Sequence, residues 1–125
     1  MRKQTSSGSA LENSVGYSRA VRVGNTIEVA GTAALDGDNV VGANVYEQSI
    51  FIFNKIEAAL IALGATMADV VRTRMFITDI SDWEAAGKAH GEFFKDIKPV
   101  TTMVEVSRLI HPDMLIEIEA TAVID

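Results

Sequence analysis

The sequence predicts an α+β fold, a mixed β-sheet with two helices packed against one of its faces. Three observations carry that expectation. Two stretches place apolar residues at helical spacing, several short β-branched stretches alternate with a period of two, and the two kinds interleave in the order β-β-α-β-α-β-β. The 125 residues suit one domain, taken as 1–125. A composition of 48% hydrophobic and 22% charged residues belongs to a chain that folds rather than one that stays disordered.

Residues 1–10 hold Arg2 and Lys3 in a Ser- and Gly-containing stretch with no apolar run, which reads as a flexible tail and not as a signal peptide. Arg19 to Val23 alternates, Gly24-Asn25 offers a turn, and Thr26 to Ala30 follows with Ile27 and Val29 on one face, a hairpin pattern. Asp36-Gly37-Asp38-Asn39 marks a second turn or loop. Asn44 with Glu47 has the spacing of a capping box, and Phe53, Ile56, Leu60 and Leu63 then recur at helical spacing until Gly64 stops the helix. Val70 to Thr78 is β-branched and alternating. Ser81 with Glu84 again has capping-box spacing, ahead of a second amphipathic helix built on Trp83, Ala86, His90, Phe93 and Phe94 and ended by Pro99. Val100 to Val106 and Leu115 to Val123 close the sheet, joined by a loop around His111-Pro112-Asp113.

Composition also narrows the function. A net charge of −6 disfavours nucleic acid and anionic membrane as partners, and no basic stripe is present. The absence of cysteine excludes thiolate metal sites and cysteine nucleophiles, and suits a reducing, cytoplasmic setting. Ala58 to Leu63 is the longest apolar run, far too short for a bilayer. His90 and His111 are not spaced as a metal pair, and no glycine-rich phosphate loop occurs, so neither metal nor nucleotide cofactor is expected.

Strand alternation sorts the residues onto two faces. Val71, Thr73, Met75, Ile77, Ile116, Ile118 and Ala120 are expected under the helices, and Arg72, Arg74, Glu105, Glu117 and Glu119 on the other face. That charged face either meets water or is buried in an oligomer with its charges paired.

Several of these stretches resemble one known family. Gly16-Tyr17-Ser18-Arg19-Ala20-Val21, Gly24-Asn25 and Val29-Ala30-Gly31-Thr32 are similar to the opening signature of the Rid (YjgF) family, also labelled endoribonuclease L-PSP. Ala62-Leu63-Gly64-Ala65, Asp69-Val70-Val71, Val104-Glu105-Val106 and Ile116-Glu117-Ile118-Glu119-Ala120 extend the resemblance over about residues 15 to 124. It implies a chorismate-mutase-like fold and a homotrimer, with three sheets forming a central barrel, helices outside and ligand clefts between subunits. It also implies hydrolysis of 2-imino acids and enamines without metal or organic cofactor.

By the same resemblance Tyr17, Gly31 and Glu117 fall on cleft positions, with Glu117 placing the attacking water. The chain departs from the family pattern at Thr101, where active deaminases carry a carboxylate-clamping arginine, at Met103, where a cysteine is common, and at Gly87, often an asparagine. Arg74, and after it Arg19, are the residues left to take over the clamp, the competing role for Arg74 being an ion pair with Glu105 or Glu119. Thr101 and Thr102 suit a neutral polar ligand. The readings left open are a hydrolase of C=N substrates, a non-catalytic module for a small metabolite, and RNA cleavage, against which the negative charge weighs.

Overall fold

The computed structural model describes residues Met1–Asp125. Its first element corrects the expectation of a flexible tail: β1 (Arg2–Thr5) is an edge strand, paired antiparallel with β2 (Ala20–Val23) from Arg2↔Val23 to Thr5↔Ala20. The segment has little β propensity of its own. The unpaired amides and carbonyls along β2 supply the template, and charged Arg2 and Lys3 suit an exposed edge. Between these strands the chain makes one π-helical turn, Glu12–Gly16, closed by the Tyr17 N–H donating to the Glu12 carbonyl at 3.0 Å.

Gly24 and Asn25 turn the chain into β3 (Thr26–Ala33) as expected, and the Asp36–Asn39 turn joins two short strands, β4 (Leu35–Asp36) and β5 (Asn39–Val40). Helix α1 (Val45–Ala62) begins where the sequence placed it. Asn44 accepts the Glu47 N–H at 2.9 Å, and the Glu47 carboxylate reaches back to the Ala43 N–H at 3.0 Å. The helix ends in a Schellman motif: Gly64 sits at φ +87, its N–H bonds the Ile61 carbonyl and the Ala65 N–H bonds that of Leu60.

Strand β6 (Val70–Ile77), helix α2 (Trp83–Phe94), β7 (Val100–Glu105) and β8 (Ile116–Val123) complete the chain. Ser81 is not the cap of α2. It lies in a 3₁₀ turn, Ile80–Asp82, whose cap is Asp79 accepting from the Ser81 N–H. Trp83, expected to pack, is 55% exposed.

The main sheet runs β1-β2-β3-β8-β6-β7, antiparallel except for the β6–β7 pair, whose parallel connection is carried by α2. Both helices lie on one face. Ile27, Val29, Met75, Ile77, Ile116 and Ile118 meet Ile52, Phe53, Ile56 and Leu60 of α1 in one core. Phe53 sits fully buried between the helices, its ring 5.7 Å from His90 and 5.5 Å from Phe94. No helix is long and apolar enough to cross a membrane.

Two residues lie on the opposite face from the one expected. A bulge between Val70 and Arg72 turns Val71 outward, 45% exposed, while Val70 takes the core position. Glu105 pairs with Ile77, which places it on the helix side, where its carboxylate accepts the Ile80 N–H at 3.0 Å. Simple alternation fixes relative faces within a strand. The offset of β7 against β6 is set by pairing, so a one-residue register difference reverses all of β7.

Gln48, 1% exposed, fastens the long β7–β8 loop to α1: its amide donates to the Asp113 carbonyl at 2.9 Å and accepts the Leu115 N–H at 2.9 Å.

Gly64→Ala forces an alanine into the left-handed region, and its Cβ would lie 2.9 Å from the Arg22 guanidinium, which donates to the Leu63 carbonyl. We expect a loss of about 1–2 kcal/mol in chemical denaturation, with an unchanged far-ultraviolet spectrum.

Candidate functional site

A cavity of about 500 Å³ opens beside the end of β3 and the start of β8. Its polar lining includes Tyr17, Arg19, Lys55, Asp36 and Glu117, and its apolar lining includes Leu35, Phe51 and Met114. The N-terminal residues Ser7–Leu11 form one wall.

The bulge in β3 shapes the site. Val29 pairs with Ala120 but Thr32 with Ile118, so β3 holds one extra residue in the span containing Ala30 and Gly31. Thr32 then points into the core, fully buried, and Glu117 stands opposite Ala33. The carboxylate of Glu117 lies against the Gly31 backbone: a Cβ on residue 31 would sit 2.6 Å from Glu117 Oε2. A side chain at residue 31 would have to displace the Glu117 carboxylate, and φ makes no demand for glycine there.

Arg19 is 7% exposed and has no carboxylate within ion-pair distance, the ion pairs being Arg74–Glu119 and His111–Asp113. Its Nη1 donates to the Gly31 carbonyl at 2.7 Å and to Thr32 Oγ1 at 2.9 Å. Nη2 makes only a long contact of 3.5 Å with the Tyr17 hydroxyl, and the buried Nε has no partner. A guanidinium offers five N–H donors, so Nη2 holds unused capacity in a residue that lines the cavity.

The cavity perturbs its ionisable groups. Burial pushes the Glu117 carboxyl above its ordinary value, partly opposed by the Arg19 charge and reinforced by that of Glu119. Lys55, half-buried on α1, is held below its ordinary value by burial and then by Arg19, against weaker pulls from Glu12 and Asp36. Behind the wall, burial works to raise the Glu12 carboxyl, but hydrogen bonds from the Ser7 hydroxyl and amide, with Ser6 and Arg19, outweigh it and lower it.

The structure therefore brings together Tyr17, Arg19, Gly31 and Glu117 from the residues singled out in the sequence. Arg74 lies elsewhere, on the open face of the sheet, 3.2 Å from Glu119 and beside a more open depression that shares Tyr17. Thr101, Thr102 and Met103 do not line the cavity. Thr101 faces the helix side on the outer strand, accepting from Thr73, whose hydroxyl is also 2.8 Å from His90 Nε2. Burial lowers the His90 pKa, favouring the neutral ring. Met103 is packed against the core, and Gly87 has no neighbour within 4 Å of the place a Cβ would take. No three His, Asp or Glu side chains converge as a metal site.

Lys55, Asp36 and the N-terminal wall escaped sequence reasoning. For Lys55 a signal existed: it is the sole basic residue of α1 and lies four residues from both Phe51 and Ala59, one face of the helix.

Comparison with known proteins agrees with the fold. The family model described as endoribonuclease L-PSP matches residues 7–124. The crystal structure of a Mycobacterium tuberculosis member of the YjgF/YER057c/UK114 family superposes with a TM-score of 0.93 at 48% identity, covering 99% of this chain and 100% of that one. A Streptomyces coelicolor protein described as uncharacterized is 36% identical over 96% of this chain and 90% of its own length. A Dermatophagoides farinae protein named 2-iminobutanoate/2-iminopropanoate deaminase is 32% identical over 87% and 86% respectively. With the family model spanning nearly the whole chain and its sheet order and helix placement described above, the protein belongs to the endoribonuclease L-PSP, or Rid/YjgF, family.

Proposed function

We propose that the chain hydrolyses small imines or enamines, in the cavity lined by Tyr17, Arg19, Gly31 and Glu117. The observation that carries this reading is Glu117: a desolvated carboxylate with a raised pKa, lying against Gly31 in a cavity with a polar wall. Such a group takes a proton from water near neutral pH more readily than an ordinary carboxylate. Water activated by Glu117 attacks the C=N carbon, the nitrogen gains a proton, and collapse of the tetrahedral adduct releases ammonia and a carbonyl compound. The Tyr17 hydroxyl donates to a polar atom of the substrate. The 32% identity to a protein named as a deaminase supports the same reaction class.

Arg19 takes the role of carboxylate clamp, in place of an arginine at position 101. Arg19 lines the cavity and its Nη2 makes only the long Tyr17 contact, whereas Arg74 is paired with Glu119. The protein works as a homotrimer. Strand β7 has a free outer edge with Val100 56% and Val104 42% exposed. Thr101, Thr102 and Met103 sit on that strand, so they contribute to a cleft only if a neighbouring copy carries them to it.

Glu117→Gln abolishes turnover of 2-imino acids generated in situ by an amino-acid oxidase and followed by semicarbazone capture, while size-exclusion chromatography shows the same oligomer. Undiminished turnover in that variant would sink the mechanism. Gly31→Ala displaces the Glu117 side chain and lowers kcat by at least about tenfold with KM less affected. Arg19→Met raises KM for carboxylate-bearing substrates more than for neutral ones.

Glu117 also leaves a mark on stability. Its pKa is higher folded than unfolded, so between the two values the folded state binds more protons and stability falls as pH rises through that window. Glu117→Gln removes this loss. Its melting temperature should equal or exceed that of the parent at neutral pH, and the difference should narrow on acidification below the unfolded value, as read by scanning calorimetry.

A further inference from the structure

Lys55 has no part in the hydrolysis described above, yet it is the amine that the fold places in the same cavity. It is half-buried on α1, whereas Lys3, Lys88, Lys95 and Lys98 are exposed. Phe51, one turn earlier on α1, and Leu35 share the cavity wall, and the Thr5–Ser7 segment crosses the other side, where Lys55 also borders a smaller groove with Ala58, Ala59 and Ala62. No carboxylate lies within ion-pair distance of its Nζ, whose one protein hydrogen bond is to the Leu35 carbonyl at 3.1 Å. A lysine desolvated beside another cation is the setting in which an amine becomes a nucleophile, and here Arg19 is that cation.

We infer that Lys55 is a Schiff-base lysine, which reversibly captures a small carbonyl compound bearing a carboxylate. The inference shares its cavity with the proposed hydrolysis and takes as ligand the class of product that hydrolysis releases, but it does not require turnover. The neutral Nζ attacks the carbonyl carbon, and the carbonyl π pair moves to oxygen, which takes up a proton. The carbinolamine then loses that oxygen as water together with one nitrogen proton, and a C=N bond to Lys55 remains, with no oxidant or reductant involved. Glu117, lining the same cavity with its carboxyl raised above its ordinary value by burial, is the group placed to deliver the proton to the departing hydroxyl. The protonated Schiff base keeps one N–H, which the Leu35 carbonyl is already placed to accept. Arg19 supplies the partner for the carboxylate, through Nη2, whose one contact is the long one to Tyr17.

Reductive trapping tests this directly. The full chain is incubated at neutral pH with pyruvate and sodium cyanoborohydride, and the modified residues are located by peptide mass spectrometry. We expect one added carboxyethyl group on Lys55, saturating with pyruvate and appearing before any modification of Lys3, Lys88, Lys95 or Lys98. In Lys55→Arg, and in Lys55→Met as a second variant without the charge, that early adduct is lost. Modification spread over the exposed lysines with Lys55 unlabelled overturns the proposal, as does an undiminished early adduct in either variant. Imine turnover without a Lys55 adduct overturns it while leaving the hydrolase reading in place. A Lys55 adduct without turnover supports it and removes the hydrolase reading.

Discussion

The site depends on one desolvated charge. Arg19 sits at the threshold of β2, almost wholly buried and without a carboxylate partner, and its guanidinium is held by the Gly31 carbonyl and the Thr32 hydroxyl of the neighbouring strand. An arginine in that position is costly unless its donors are used. The β3 bulge supplies those acceptors by inserting one residue where the strand passes Arg19. The same extra residue brings the bare Gly31 backbone against Glu117, so a single local irregularity gives the cation two acceptors at Nη1 and places the acid beside it.

That charge then divides the behaviour of the two ionisable groups in the cavity. Burial favours the neutral form of both Glu117 and Lys55. Arg19 acts on them oppositely, stabilising an ionised Glu117 and a neutral Lys55. The net result is an acid raised above and an amine lowered below their ordinary values in a common cavity. Groups shifted toward each other in this way can exchange protons with a ligand near neutrality, which an ordinary carboxylate and an ordinary ammonium cannot do as readily. The second polar cluster, His90–Thr73–Thr101, lies between α2 and the strands β6 and β7, and burial alone shifts its histidine. Its chemistry is that of a neutral, hydrogen-bonded chain reaching the outer strand.

Where the sequence carried a strong local signal, the fold followed it. The Asn44 cap and the Gly64 stop of α1 are local matters of donors, acceptors and φ, and the Gly24-Asn25 turn and the alternation of β8 are matters of period. Each of these depends on residues within a few positions. The second capping box failed because Asp79 caps a 3₁₀ turn first and takes both the amide and the hydroxyl of Ser81. Arg2–Thr5 carries no strand signal in the sequence because β1 has almost no propensity of its own and exists through the edge that β2 offers.

The sequence by itself determined the family and the succession of the two helices and the longer strands β2, β3, β6, β7 and β8, because these rest on short motifs and on periodicity, and the same motifs name Tyr17, Gly31 and Glu117, which line one cavity. Only the tertiary structure decided which cation accompanies them. Arg74 shares the sheet's open face with Glu117 in any reading of the alternation, but pairing brings Glu119 beside it and occupies it. Arg19 and Lys55 stand 36 positions apart, and only the packing of α1 over the end of β3 and under the N-terminal wall places them in one cavity. Strand register likewise put Thr101 and Glu105 on the helix side. Register and helix packing are long-range outcomes of burying the core, and no local pattern in the chain encodes them.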